Sequence, residues 1–228
     1  MSISLVQSNN GMGTGGSTWN ASFSSGVTAG NTLFLAVYSY DIGTAMTAST
    51  PKYNGSAYAA ASQLIAKCST GGGNVFCAIW MFPNISTGGG TTLGLTCSNS
   101  NIDSNVGWVC YEVSGLGASP TMDQSSGNFA SSGNISSGTT SAIQHSNEFI
   151  VGAAVGYGIV QTAASGFTNS WNGAGSQYCE AGYQIATSSG GTYTYATNTG
   201  VGADWSAAIV TIYAGGNSNT ATGAWLTA

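Results

Sequence analysis

Apolar residues recur along this chain at every second position far more often than at helical spacing, in short runs bounded by Gly, Ser, Thr and Asn. Residues 17–24 alternate Trp19, Ala21 and Phe23 with Ser and Asn, the pattern of a half-buried strand. Residues 32–40 (TLFLAVYSY) are apolar on both faces and predict a central strand. Further strands are expected at 2–7, 58–68, 74–82, 91–97, 106–113, 148–157, 177–186, 192–198 and 204–213. Turn signals such as Thr28–Gly30, Gly71–Gly73, Gly88–Gly90 and Gly190–Gly191 separate them. The pattern predicts an all-β fold: a two-sheet antiparallel sandwich, jelly-roll-like, with an extended C-terminal arm.

The segment Ser114–Ser141 is poor in apolar residues and reads as a long crossover loop with one short strand near Met122. No internal repeat of fixed period stands out. Residues 1–213 are therefore taken as one sandwich domain, since neither half has enough predicted strands for two covered sheets. Residues 214–228 read as a Gly/Asn/Ser/Thr linker leading to Trp225 and Leu226, an arm that docks on this domain or a neighbour.

Charge changes the picture. A soluble domain carries about a quarter Asp, Glu, Lys and Arg; here the share is 4%, seven acids and two lysines in 228 residues. Two cations cannot neutralise a run of phosphates, which argues against nucleic-acid partners, and a polybasic membrane anchor fails for the same reason. No stretch of 18 apolar residues predicts a transmembrane helix. Disorder is excluded by 42% hydrophobic and 11% aromatic content. Met1–Asn10 lacks the pattern of a secretory signal. The expectation is either a processed exported protein or one made in a host cytoplasm and released by lysis.

Chemistry-bearing residues are few. His145, the only histidine, lies in a polar turn before a strand and reads as a solvated loop residue. No G-x-S-x-G elbow is present. The acids Asp41, Asp103, Glu112, Asp123, Glu148, Glu180 and Asp204 are dispersed, so a glycosidase pair could arise only through the fold, for instance Glu112 with Asp123. Asn99, Asn101, Asp103 and Asn105 alternate as in oxygen-donor loops, but a single carboxylate fits an Asx-rich turn better than calcium. Neither a metal nor a cofactor is expected. Five cysteines allow two cross-strand bridges, Cys68 with Cys77 and Cys97 with Cys110; the odd count favours small buried thiols instead.

Aromatic and amide groups remain. Trp171, Tyr178, Tyr183, Tyr193 and Tyr195 lie in one region with Asn169, Asn172 and Gln177, a palette for stacking on a sugar and bonding its hydroxyls, and equally for a core or an oligomer interface.

Glu112-Val113-Ser114-Gly115-Leu116 followed by Asp123, the strand Glu148–Ala153, Tyr183–Thr187, Trp205–Val210 and the early Ala29–Val37 together resemble a β-sandwich domain of tailed-bacteriophage virion proteins and exported bacterial surface proteins. The resemblance spans about residues 2–213 and implies a structural or adhesive module without a cofactor or catalytic residues. The leading expectation is a non-enzymatic virion component, a capsid decoration (cement) protein that binds the major capsid protein, other virion subunits or copies of itself. The alternative is an extracellular carbohydrate-binding or adhesive module.

Overall fold

The structure, a computed structural model, describes residues 2–13, 18–41, 50–58, 60–68, 74–96, 106–157, 164–172, 177–201 and 204–215. Among them the regular elements are all strands. The first half contributes β1 (Ser4–Gly13), β2 (Thr18–Ser22), β3 (Thr32–Asp41), β4 (Lys52–Tyr53), β5 (Ser56–Ala57), β6 (Ser62–Cys68), β7 (Asn74–Phe82), β8 (Thr92–Thr96) and β9 (Val106–Ser114). The second contributes β10 (Thr121–Ala130), β11 (Gly133–Thr139), β12 (Glu148–Tyr157), β13 (Thr168–Asn172), β14 (Gln177–Ala186), β15 (Thr194–Val201) and β16 (Trp205–Tyr213).

The all-β sandwich expectation holds, but the layers number four. Two five-stranded antiparallel sheets, β1-β9-β3-β7-β6 and β10-β16-β12-β14-β13, form the middle of the stack. The sheet β2-β8-β4-β5 covers the outer face of the first, and the pair β11-β15 covers the outer face of the second. Side-chain alternation along the strands explains the layering. Phe34, Ala36 and Tyr38 of β3 face the second main sheet, while Leu33, Leu35 and Val37 face the cover. A strand buried on both sides is apolar on both faces, as β3 is from Leu33 to Tyr38.

The topology is duplicated. Strand for strand, β1, β2, β3, β6, β7, β8 and β9 hold the same places as β10, β11, β12, β13, β14, β15 and β16. Without β6, the first half has its eight strands in the order 1-8-3-6 and 2-7-4-5, that of a jelly roll. Among the described residues the second half lacks only a counterpart of the β4–β5 hairpin. The two halves meet face to face with their strand orders reversed: β3 lies on β12, β7 on β16, β6 on β10 and β1 on β13. The pattern extends to residues. Phe76-Cys77-Ala78 corresponds to Tyr178-Cys179-Glu180, and each half has a Ser/Thr-Gly-Gly turn with a left-handed glycine, Gly89 or Gly190.

The duplication is one of topology and has no fixed period, because of the hairpin insertion and the unequal loops. One sequence expectation is corrected. The supposed crossover at 114–141 is two strands, β10 and β11, with β10 paired to β16 over nearly its whole length. Residues of β10 are mostly exposed or half-buried because the strand lies at a sheet edge. Backbone pairing rather than an apolar face holds it, which is why alternation gave no signal.

The largest core cluster draws on both halves, with Phe34–Phe149 ring centroids at 5.1 Å and Phe149–Tyr183 at 5.6 Å. Full burial of each such side chain contributes about 1.5–3 kcal/mol. The outer cores are filled by opposite means. In the first half Leu35 and Trp80 of the main sheet meet the smaller Leu93 of the cover. At the corresponding second-half positions the main sheet has Gly152 and Gly182, and Tyr195 from β15 fills the space over both. We predict that Tyr195→Ala lowers stability by about 3–5 kcal/mol, and that Gly152→Leu alone costs roughly 1–3 kcal/mol through overpacking. Combining Gly152→Leu with Tyr195→Leu, which recreates the Leu35–Leu93 arrangement, should recover part of the loss in a double-mutant cycle followed by chemical denaturation.

Candidate functional site

Each half carries a carboxyl cluster at the same place, where the outer edge strand bulges against its neighbour. In β1 the bulge falls between Leu5 and Gln7, opposite Val113 and Glu112; in β10 it falls between Met122 and Ser125, opposite Ile212 and Val210. In the first half Glu112, buried on β9, accepts from Gln7 Nε2 (2.6 Å), the Thr28 backbone N–H (2.8 Å) and Asn31 Nδ2 (2.6 Å). No cation is involved; amide donors alone satisfy the carboxylate. The three contacts tie the edge strand and the loop before β3 to the middle of the sheet.

In the second half the acids are transposed. Thr211 stands in the place of Glu112, and Glu148 in that of Asn31. Asp123 on the bulge accepts from Gln124 Nε2 (3.0 Å) and from the Gln144 backbone N–H. Glu148 accepts from the His145 N–H (3.3 Å). Burial, first, pushes the Glu148 carboxyl up to about 7; the Thr211 hydroxyl opposes this, and the adjoining Asp123 adds to it. Asp123 itself is held below its ordinary value: partial burial acts upward, but hydrogen bonds from Gln144, Glu148 and Gln124 and the nearby His145 outweigh it. One proton, resident on Glu148 and shared with Asp123, accounts for both directions. This is the acid pair that the fold assembles, in place of Glu112 with Asp123. Two carboxyls in hydrogen-bond contact are too close for the roughly 5–9.5 Å of glycosidase pairs.

His145 is exposed and stacks on Tyr213 with centroids 3.7 Å apart, at the rim of a shallow depression of about 190 Å³. A larger pocket, about 290 Å³, lies between the β4–β5 hairpin and the turn at 86–90. Its lining, Tyr53, Asn54, Ser56, Tyr58, Ser86 and Thr87 with two glycines, carries no charge. Tyr53 donates to the Thr87 carbonyl (3.0 Å) and accepts from the Gly90 N–H (3.1 Å), and Tyr58 donates to the Pro83 or Asn84 carbonyl (2.7 and 2.9 Å). Both rings are thus fixed as walls. The sequence gives no sign of this site because Tyr53 comes from a two-residue strand, and Tyr58, expected to open a strand at 58–68, lies in the loop before β6.

Of the aromatics singled out from sequence, Tyr183, Tyr193 and Tyr195 have described side chains, and these three do not share one surface. Tyr195 is fully buried and donates to Glu180 Oε1 at 3.1 Å. Tyr183 is half-buried against Tyr111 and Phe149 in the central core, on the opposite face of the sheet. Tyr195 offers no surface to a sugar, and Tyr183 serves the core. Tyr193 packs at the margin of the outer core. The side chains of Trp171 and Tyr178, like Trp225, Leu226, Cys97 and the Asn99–Asn105 stretch, lie outside the described residues.

Cys77, Cys110 and Cys179 are buried free thiols. Burial pushes Cys77 and Cys110 up to about 12 and Cys179 higher still. The hairpin register sets Lys67 opposite Cys77 and Cys68 opposite Phe76, one position away from what a Cys68–Cys77 bridge requires. Among the described residues no group of three His, Cys, Asp or Glu could hold a metal ion.

The Glu148 shift fixes a pH dependence. A carboxyl whose folded value is raised contributes stability that is complete below its ordinary value, 4.5, and lost as pH climbs through about 7. Asp123 acts in the opposite sense, contributing above its ordinary 3.8 and losing its effect below it. Glu148→Gln keeps a donor facing Asp123 without the titration. Thermal melts from pH 4 to 8 should therefore fall less steeply for this variant than for the wild type, with a higher Tm for the variant at pH 8. No family model, curated protein or solved structure matches this chain.

Proposed function

We propose that this chain is a non-enzymatic structural protein of a bacteriophage virion, a capsid decoration protein bound to the capsid and to neighbouring copies. The observation that carries the reading is where the charge goes. Of the five acids with described side chains, Glu112, Glu148, Glu180 and Asp204 are buried and Asp123 is half-buried; Lys52 is the one exposed charged side chain among the described residues. The described exterior is thus even less charged than the composition. Identical subunits packed side by side bring like charges together, and a hydroxyl and amide surface avoids that repulsion while it still forms hydrogen bonds. Free monomers ordinarily keep surface charge for solubility. Jelly rolls serve in both viral capsids and lectins, so the fold by itself chooses neither.

Mass spectrometry of purified phage particles tests the reading: the chain should be present in many copies, and its absence from particles overturns it. Deleting 214–228, with Trp225 and Leu226, should lower particle occupancy severalfold at unchanged Tm.

The uncharged pocket beside Tyr53 and Tyr58 favours a second reading, a module that binds a neutral glycan. On that reading a glycan array gives a hit with the purified chain, and Tyr58→Ala weakens it at least tenfold. A blank array removes this alternative.

A further inference from the structure

Four large apolar side chains stand out as exposed among the described residues: Val6 (48%), Met12 (39%), Met122 (40%) and Phe129 (43%). Their placement is not scattered. Val6 and Met12 belong to β1, Met122 and Phe129 to β10, and these are the corresponding outermost strands of the two main sheets. Met12 pairs with Gly107 and Phe129 with Ser206, positions that the duplication makes equivalent. Among the described residues no strand pairs with the outer side of either.

Edge strands are templates for another chain unless something blunts them: a charge, a proline, a bulge or short length. The far edges of the same sheets are blunted. β6 is short, and beyond its bulge between Gln63 and Ile65 only Ile65–Cys68 stay in register; β13 has five residues and a bulge between Asn169 and Trp171. β1 and β10 bulge only near their starts. Beyond the bulge, Gln7–Gly13 and Ser125–Ala130 run in unbroken register with no charge and no proline. The one charged residue of either strand, Asp123, is tied inward to Gln124 and Gln144. Isolated apolar residues on a surface need no explanation. Apolar residues confined to two long, uncharged, equivalent edges do.

We infer that β1 and β10 are the edges through which copies of this chain join, strand to strand. The occupant is a second copy because its own edge offers the same uncharged backbone and apolar flanks, and because the neutral exterior adds no repulsion between like molecules. The two edges lie on opposite flanks of the stack, β1 over β13 and β10 over β6. Each molecule therefore joins two neighbours, and association continues into rows rather than closing at a dimer. The inference rests on the self-assembly reading above and names its surface.

Sedimentation velocity of the purified full-length chain across a hundredfold concentration range tests it. Species beyond the dimer should grow with concentration. Met12→Lys or Phe129→Lys should each shorten them, and the two together should leave monomer with a Tm close to wild type. In wild type, amide exchange at 7–13 and 125–130 should slow as concentration rises, a readout that needs no variant. A wild type that stays monomeric, or oligomers untouched by both lysines, overturns the inference. The competing occupant is the chain's own C-terminal segment, since Gly215 lies against the Ser119 carbonyl beside the start of β10. Oligomers that vanish on deleting 216–228 but survive the double lysine variant would assign the edge to that arm. Particle-bound protein that is monomeric in solution overturns the edges alone, whereas edge-dependent rows of a protein missing from particles overturn the virion reading alone.

Discussion

Burial of one apolar face of each five-stranded sheet against the other is the contact on which the rest of this molecule depends. Phe34, Tyr111, Phe149 and Tyr183 meet there, and neither half closes its central core without the other. The outer faces of the same sheets are apolar as well, so each needs its own cover. A four-layer stack follows from sheets that are apolar on both sides. The close packing of such interiors also fixes the inverse exchange at the outer cores, where bulk sits on the main sheet in one half and on the cover in the other.

That geometry governs the polar residues. Burying a carboxylate is costly unless hydrogen bonds replace water. Glu112 meets the demand with three amide donors. The second half meets it by leaving a proton on Glu148 and concentrating donors on Asp123. Both solutions lock an edge strand and a loop to the sheet centre without a cation. A chain with two lysines can build such a core only this way. The consequence at the described surface is scarcity of charge, because the acids with described side chains are buried or half-buried.

Much of the fold was legible in the sequence. The main strands β3, β7, β9, β12, β14 and β16 announce themselves because both of their faces are apolar or nearly so. The edge strand β10, the hairpin β4–β5 and β13 do not, since backbone pairing and single tyrosines hold them rather than a continuous apolar face. The duplication was hidden for a further reason. Bulk can come from either side of a packed interface, so Trp80 can answer to Gly182 and Leu93 to Tyr195. The candidate sites were less legible still. Tyr193 and Tyr195 have the same composition signal as Tyr53 and Tyr58, and only the sheet register decides which rings fill cores and which line a pocket.

Internal duplication also bears on how copies meet. A two-fold dimer of separate chains would bury its shared face only at sufficient concentration, whereas fusion of the halves makes that face permanent. The equivalent edges are then what remains for association between molecules. In the first half the β4–β5 hairpin broadens the cover and walls the tyrosine pocket; in the second the cover is two-stranded among the described residues. The halves thus keep the same edges while their outer faces diverge. Such divergence lets one face acquire a ligand or a docking partner while the edges, shared by both halves, continue to set the contact between copies.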